Sequence, residues 1–270
     1  PGAADRHPEL DYLAGTDARR ADDLNGLLAD PGVDLVLCAR GGYGAARLLD
    51  RIDYAAIRRD PKPLVGYSDI TALNLAVLAR AGVVSYSGIM ATAGDGFGEG
   101  TLDPRSAASF WSAVTGGIDA VQTPPDGRAP LVVRAAPNGD THLRGHLLPV
   151  CLTLLESLAS TPYAPIPDGA LLLVEDVHEP LYAVDRAFTQ LRLSGFLDRL
   201  AGILVGTFTG GPDGEDLAER VAAMVAAMTS EHVPVVVGVP YGHVPCRHTL
   251  PVGASTEFDL STGTFRFVPG

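Results

Sequence analysis

In the first half of the chain, stretches with helical spacing of apolar residues alternate with short apolar runs. Residues 17–29 place leucines at helical spacing, and the run VDLVLC follows at 33–38. PLVG at 63–66 and VVSYSGI at 83–89 are typical of two further strands. Between them, DITALNLAVLARAG is typical of a helix that stops at Gly82. This order predicts a parallel sheet with helices on its faces.

The second half repeats the alternation after a looser region at 91–145. It predicts a helix at 149–158, the strand ALLLVED, a long amphipathic helix from Leu181 to Ser194 and the strand AGILVGTF. A helix near 216–229, the strand VPVVVG and a hairpin TEFDL-STG-TFRFV complete it. We place the domain boundary within 117–145. The expected units are an N-terminal domain at 1–120, a linker at 121–145 and a C-terminal domain at 146–270.

Composition excludes several classes of partner. The chain has 270 residues, a formal net charge of −12 and 46% hydrophobic residues, as in an ordinary globular protein. The negative charge argues against nucleic acid and anionic membranes, and no run approaches the roughly 18 apolar residues of a membrane span. Cys38, Cys151 and Cys246 are scattered, which is typical of reduced cysteines in a cytoplasmic protein. No metal or cofactor is implied.

The segment GYSD poses the first question about chemistry. Ser68 lies at a strand-to-helix corner, where a nucleophile would be exposed over a helix N-terminus. The match to G-x-S-x-G is incomplete, because the fifth position is Ile70. Serine and aspartate are also the commonest helix caps, so on this segment alone the serine can be a cap or a nucleophile.

Two later segments could supply the partners of a nucleophilic serine, which needs a histidine base and an orienting carboxylate. Glu175 and Asp176 end a strongly apolar strand, and His243 follows another strand in a Gly-His-Val-Pro turn. Acidic residues also simply terminate strands, and a lone loop histidine is often only a surface residue. Neither segment decides the question by itself.

The segment ARGGYG offers backbone N–H groups to a ligand. Its glycine pair, Gly41 and Gly42, follows a strand and allows the backbone to approach a ligand closely. A phosphate-binding loop is the alternative, although the P-loop lysine and the full dinucleotide fingerprint are absent.

Taken together, RGGYGAARLL, PLVGYSDITALN, the segment from LLLVEDVHEP to GILVGTF, and VGVPYGHVPCRHTLPVGA closely resemble the LD-carboxypeptidase family of serine peptidases. The resemblance runs from about Tyr12 to the end of the chain. It implies that Ser68 is the nucleophile, Glu175 orients the histidine and His243 is the base. It also implies that backbone N–H groups of Gly41 or Gly42 and of Asp69 form the oxyanion hole.

The same resemblance implies an activity and an architecture. The expected fold is α/β, with a parallel-sheet, flavodoxin-like N-terminal nucleophile domain and a smaller mixed α/β C-terminal domain. The expected reaction releases terminal D-alanine from a murein tetrapeptide in cell-wall recycling, in a cytoplasmic homodimer. The free carboxylate of the substrate needs a cationic partner, and the sequence leaves three candidates open: Arg40, Arg186 and Arg247.

Two other functions stay open. A microcin C self-immunity peptidase would use the same triad on an aminoacyl nucleotide analogue and would need an aromatic-lined cleft, for which the segment 91–130 offers only Phe97, Phe110 and Trp111. A non-catalytic binding module would not require Ser68 and His243 to be close.

Two departures from the family pattern accompany the resemblance. A strand and helix that usually precede DYLAGTDARR are absent, so a first strand of the sheet is expected to be missing from this sequence. RGHLL at 144–148 stands where a glycine and an asparagine are expected, so specificity can differ.

Overall fold

The computed structural model of the chain describes residue 7 and residues 9–91, 102–116, 129–165, 168–209 and 216–267. The α-helices in this part are α1 (Asp17–Ala29), α2 (Tyr54–Arg59), α3 (Thr71–Ala81), α4 (Pro104–Val114), α5 (Leu152–Leu158), α6 (Leu181–Leu193) and α7 (Ala218–Met228). The strands are β1 (Val36–Leu37), β2 (Leu64–Val65), β3 (Ser85–Ser87), β4 (Leu131–Arg134), β5 (His142–Cys151), β6 (Ala170–Val177), β7 (Gly202–Thr209), β8 (Val235–Val237), β9 (Leu250–Val252), β10 (Ser255–Asp259) and β11 (Thr264–Phe267). Short 3-10 helices cover Ala46–Arg51, Ser68–Ile70 and Leu197–Arg199.

Four short strands form the first sheet, in the order β1-β2-β3-β9. β1, β2 and β3 run parallel, and β9 pairs antiparallel with β3. The parallel pairing confirms the α/β fold predicted from the alternating pattern. The strands are shorter than predicted, because the β1–β2 ladder pairs only Val36 with Leu64 and Leu37 with Val65.

Helix α3 connects the GYSD segment, which contains Ser68, to the core. Its whole first half is buried, and it contacts both β3 and α5. Gly82 ends it in the left-handed conformation, with φ 66°, as predicted for a C-terminal glycine. The buried Asn74 side chain donates a hydrogen bond of 3.0 Å to the carbonyl of Gly66. The helix therefore supports the turn that carries Ser68.

Seven strands form the second sheet, in the order β11-β10-β5-β6-β7-β8-β4. β5 to β8 are parallel, whereas β4, β10 and β11 are antiparallel to their neighbours. The central strand β6 is buried along nearly its whole length, as expected for a parallel strand covered on both faces. The β10–β11 pairing confirms the predicted hairpin.

One hydrophobic core joins the two halves of the chain. The largest cluster of buried side chains includes Leu73 and Leu75 from α3 together with Leu155 from α5 and Phe188 from α6. No helix among the residues that the structure describes is long and apolar enough to cross a membrane.

The predicted domain division stays a prediction, and strand pairing adds two facts to it. β4 lies within the predicted linker yet is an edge strand of the second sheet, and β9 crosses from the C-terminal half into the first sheet. The helix predicted at 149–158 begins only at Leu152, because Pro149 to Cys151 continue the β5–β6 ladder. Residues 92–101 and 117–128, which include the first part of the predicted linker at 121–145, lie outside the described residues.

Candidate active site

Ser68 lies at a sharp turn between β2 and α3. It is the first residue of a 3-10 helix and adopts φ 61°, a left-handed conformation that is uncommon for a residue with a side chain. The turn requires glycine at position 66, since a Cβ there would lie 2.9 Å from Ile70 Cγ2 and 3.0 Å from Cys38 Cβ. Strained backbone of this kind persists only where the surrounding structure imposes it, and it concentrates at functional sites.

Glu175 lies near the carboxyl end of β6 and is 1% exposed. Its neighbour Asp176 accepts hydrogen bonds of 2.9 Å from the Thr153 N–H and 2.7 Å from the Thr153 hydroxyl, so it caps the start of α5. Successive side chains of a strand point to opposite faces, and a register shift occurs here between β6 and β7. The structure therefore separates the two carboxylates, and Glu175 is the one that the family resemblance implies.

His243 follows β8 in a loop that is held close to the end of β7. The Thr207 N–H donates a hydrogen bond of 2.9 Å to the carbonyl of Tyr241. Gly242 has φ 133°, and a Cβ there would collide with Thr207 Oγ1 and lie 3.0 Å from Glu175 Cβ. Only glycine allows the loop to pass this close to β6 and β7.

The three side chains form one hydrogen-bonded series. His243 Nδ1 lies 2.7 Å from Glu175 Oε2, and His243 Nε2 lies 3.2 Å from Ser68 Oγ. An ionised glutamate only accepts hydrogen bonds, so Nδ1–H is the donor and Nε2 is left to accept the serine proton. The arrangement is that of a nucleophile, a base and an orienting carboxylate.

Burial sets the electrostatics of this series. It raises the pKa of the Glu175 carboxyl, and the hydrogen bond from His243 acts in the opposite direction. Arg247 also favours the ionised form of Glu175 through its positive charge. The site therefore holds a buried carboxylate that needs its cationic and hydrogen-bonding neighbours.

The glycine pair lies against the serine. A Cβ on Gly41 would be 2.9 Å from Ser68 Cβ, 3.0 Å from Ser68 Oγ and 3.5 Å from the backbone N of Asp69. Gly42 follows with φ 111°. The Asp69 carboxylate, which is buried, accepts a hydrogen bond of 2.8 Å from the Ala45 N–H and so ties the glycine loop to the nucleophile turn. Burial raises the pKa of this carboxyl.

Gly41→Ala should impair the site without unfolding the protein. The new methyl group must displace Ser68 or the loop, and misplacing reacting groups by about 1 Å can cost about 10²-fold in rate. Gly26→Ala is the matched control, because a Cβ there meets nothing within 4 Å on α1. Measurement of kcat and thermal unfolding should show a loss of kcat in the first variant only. Wild-type kcat in Gly41→Ala would contradict the close approach.

The three arginines predicted as carboxylate partners occupy different environments. Arg40 is exposed, and its guanidinium lies 3.6 Å from the position of a Cβ on Gly42. Arg186 lies on the exposed face of α6. Arg247 is 2% exposed, and its guanidinium stacks 3.5 Å from the centre of the Tyr67 ring. Arg247 is therefore the one buried guanidinium of the three.

Sequence reasoning did not single out Tyr67. Its buried ring packs edge-on against the His243 imidazole, with ring centres 5.1 Å apart. Its position inside GYSD, directly before the serine, was the available signal. Tyr241 was also missed, and its hydroxyl lies 2.9 Å from the Ser87 hydroxyl in the interior.

Two further expectations concern aromatic and metal-binding groups. Phe110 is 1% exposed and belongs to the core, Trp111 is exposed, and Phe97 lies outside the described residues. Within the described part of the chain, no group of three or more histidine, cysteine, aspartate or glutamate side chains could hold a metal ion.

Comparison with known proteins identifies the family. Residues 2–88 match the LD-carboxypeptidase N-terminal domain, and residues 144–258 match the LD-carboxypeptidase C-terminal domain. A Streptomyces coelicolor protein that carries the name of a carboxypeptidase is 41% identical over 98% of this chain and 81% of its own length. The murein tetrapeptide carboxypeptidase of Pseudomonas aeruginosa is 33% identical over 94% of this chain and 82% of its own length.

A solved structure agrees with these sequence matches. The crystal structure of muramoyltetrapeptide carboxypeptidase from Oxalobacter formigenes superposes with a TM-score of 0.81 and 30% identity, covering 98% of this chain and 86% of that one. Both domain models and a relative above 30% identity over 98% of this chain therefore match in one chain. The chain belongs to the LD-carboxypeptidase family.

Proposed function

We propose that this protein is a serine carboxypeptidase that releases terminal D-alanine from murein tetrapeptide. The bond cut would join the L-configured centre of meso-diaminopimelate, or L-lysine, to D-alanine. The observation that carries the proposal is the hydrogen-bonded series of Ser68, His243 and Glu175 beside the glycine pair. The names of the Pseudomonas and Oxalobacter relatives support this substrate class.

In the proposed mechanism, His243 takes the proton of Ser68 as the hydroxyl attacks the scissile carbonyl. Glu175 keeps Nδ1 protonated and stabilises the imidazolium that forms. The oxyanion would be bound by the N–H of Gly41 or Gly42 and that of Asp69, each donor contributing roughly 3 kcal/mol. His243 then protonates the leaving amine of D-alanine, and water hydrolyses the acyl-enzyme.

Arg40 is the best placed of the three arginines to bind the terminal carboxylate. It is exposed and lies beside Gly42, on the loop that would bind the oxyanion. The carboxylate of the departing D-alanine is only a few bonds from the scissile carbonyl, so its partner has to lie near that loop. A guanidinium can bind a carboxylate through two parallel hydrogen bonds.

The function is tested by incubating the protein with murein tetrapeptide and separating the products by chromatography. Release of free D-alanine and the tripeptide is expected, with much weaker cleavage of the same peptide ending in D-alaninamide. An aminoacyl sulfamoyl adenylate, assayed in parallel, tests the self-immunity peptidase. Cleavage of the adenylate but not of the tetrapeptide would replace the proposal by that alternative.

Neither alternative function is favoured by the described residues. Of the three aromatic residues considered for a nucleobase cleft, Phe110 is in the core and cannot stack, Trp111 is exposed, and Phe97 lies outside the described residues. A binding module would not need a histidine within hydrogen-bond reach of both a serine and a buried glutamate, which is the geometry present.

Two further properties belong to the proposal. A cytoplasmic location is supported by the free thiols of Cys38, Cys151 and Cys246, since cysteines in reducing compartments stay unpaired. A homodimer is supported by the family resemblance alone.

A further inference from the structure

Arg247 contacts both segments that carry the candidate catalytic groups. We propose that Arg247 is a positioning residue, which holds the His243 imidazole in line with Ser68 by fixing the peptide before the histidine and the ring before the serine. The proposal rests on the proposed function, because it assigns Arg247 a part in that reaction. It replaces the substrate-binding role considered for Arg247 from the sequence.

The first contact fixes the backbone of the histidine loop. Arg247 Nε–H donates a hydrogen bond of 3.1 Å to the carbonyl of Gly242. That carbonyl belongs to the peptide bond that enters His243. Since Gly242 has φ 133° and no side chain, its own conformational preference does not determine the orientation of this peptide. The hydrogen bond from Arg247 and one of 2.9 Å from the Val244 N–H to the same carbonyl fix that orientation together.

The second contact reaches the nucleophile segment. The guanidinium lies over the face of the Tyr67 ring, 3.5 Å from its centre, and the same ring packs edge-on against His243. A buried cation over an aromatic face is attracted by the negative charge of the ring face. Tyr67 directly precedes Ser68, so one side chain links the base loop of the C-terminal half to the nucleophile turn of the N-terminal half.

Part of the histidine loop borders a pocket and not packed side chains. This open pocket has a volume of about 420 Å³ and is lined by Val244, Pro245 and Cys246 of the loop and by Thr207 and Val239. The loop is anchored at both ends by hydrogen bonds. The Thr207 N–H donates one of 2.9 Å to the carbonyl of Tyr241, and the Arg247 N–H donates one of 2.8 Å to Ser106 Oγ. Between these anchors, the Arg247 side chain reaches back to the peptide next to the base.

The test compares Arg247→Met, which keeps the length and apolar contacts of the side chain, with Arg247→Lys and Arg40→Ala. Arg134→Met is the matched control for loss of a partly buried arginine that binds backbone carbonyls. The Arg134 guanidinium donates a hydrogen bond of 2.8 Å to the carbonyl of Val233 and one of 3.2 Å to the carbonyl of Thr229, just after α7. Each variant is assayed on peptides ending in D-alanine and in D-alaninamide.

Arg247→Met should lower kcat by about 10²-fold, the cost of a displacement of about 1 Å at the reacting groups. KM and the preference for the free carboxylate should be unchanged. Arg247→Lys should lose less, and Arg134→Met should keep wild-type kcat. Arg40→Ala should instead raise KM and lose the preference for the free carboxylate.

A second readout needs no substrate. The Nδ1–H proton of His243, assigned by its absence in His243→Ala, should give a low-field NMR signal in the wild type and in Arg134→Met. The signal should be lost or broadened in Arg247→Met. If that variant does not fold, the kcat and the NMR signal of Arg247→Lys decide, and wild-type values there overturn the proposal.

Two other results would also overturn it. One is wild-type kcat and an unchanged NMR signal in Arg247→Met. The other is a raised KM with loss of the carboxylate preference, which would make Arg247 the substrate contact. Should the wild type release no D-alanine at all, the proposed function fails, while the NMR comparison still decides whether Arg247 positions His243.

Discussion

Replacing Ser68 with alanine should lower kcat for D-alanine release by about 10⁶-fold, as loss of the nucleophile does in other serine peptidases. Only the attacking oxygen is removed, so the oxyanion donors and substrate contacts remain and KM should change little. Alanine keeps the Cβ that serine already carries at φ 61°, so no new backbone strain arises. Steady-state kinetics with chromatographic detection of D-alanine measures the effect.

The control for this variant is Ser157→Ala. Ser157 is an exposed serine of α5, and its hydroxyl donates a hydrogen bond of 2.9 Å to the carbonyl of Leu154. It should keep wild-type kcat, and both variants should unfold at temperatures close to that of the wild type. Turnover by Ser68→Ala at more than a small fraction of the wild-type rate would remove Ser68 from the mechanism.

Glu175→Gln should lower kcat by about 10⁴-fold, the loss seen when an amide replaces the orienting carboxylate of a triad. The amide can turn its NH₂ group towards His243 Nδ1, which places the imidazole proton on Nε2 and blocks it as a base. The imidazolium that forms during attack also loses its counter-charge. The control is Asp176→Asn on the same strand, whose carboxylate caps α5 and does not contact His243.

Although Glu175→Gln should lower kcat, it should become more stable than the wild type as pH rises. Burial raises the folded-state pKa of Glu175 above its unfolded value, so this carboxyl favours folding below the unfolded pKa of about 4.3 and loses that contribution as pH rises through the folded pKa. Glutamine has no such loss. Denaturant unfolding at several pH values should show the variant gaining stability relative to wild type above about pH 4.3. A constant difference across pH would exclude an uncompensated burial cost at Glu175.

The sequence by itself determined the local elements and the chemistry they carry. Apolar periodicity, Gly82 after α3 and the pattern TEFDL-STG-TFRFV predicted elements that the structure confirms, because helix caps, strand alternation and hairpin turns depend on neighbouring residues. The motifs around Ser68, Glu175 and His243 were equally visible, since each lies in a short segment at the end of a strand.

Only the tertiary structure decided which groups meet. It brought Ser68 and His243, 175 residues apart, to 3.2 Å, and it turned Glu175 rather than Asp176 towards the base. It also placed Arg247 in the interior and moved β9 into the first sheet. These outcomes depend on strand register, on a shift in the β6–β7 ladder and on packing between distant segments. Such long-range contacts leave no periodic signal in the chain, so the local patterns named the candidates, the family resemblance implied their partners, and the distances between them came from the tertiary structure alone.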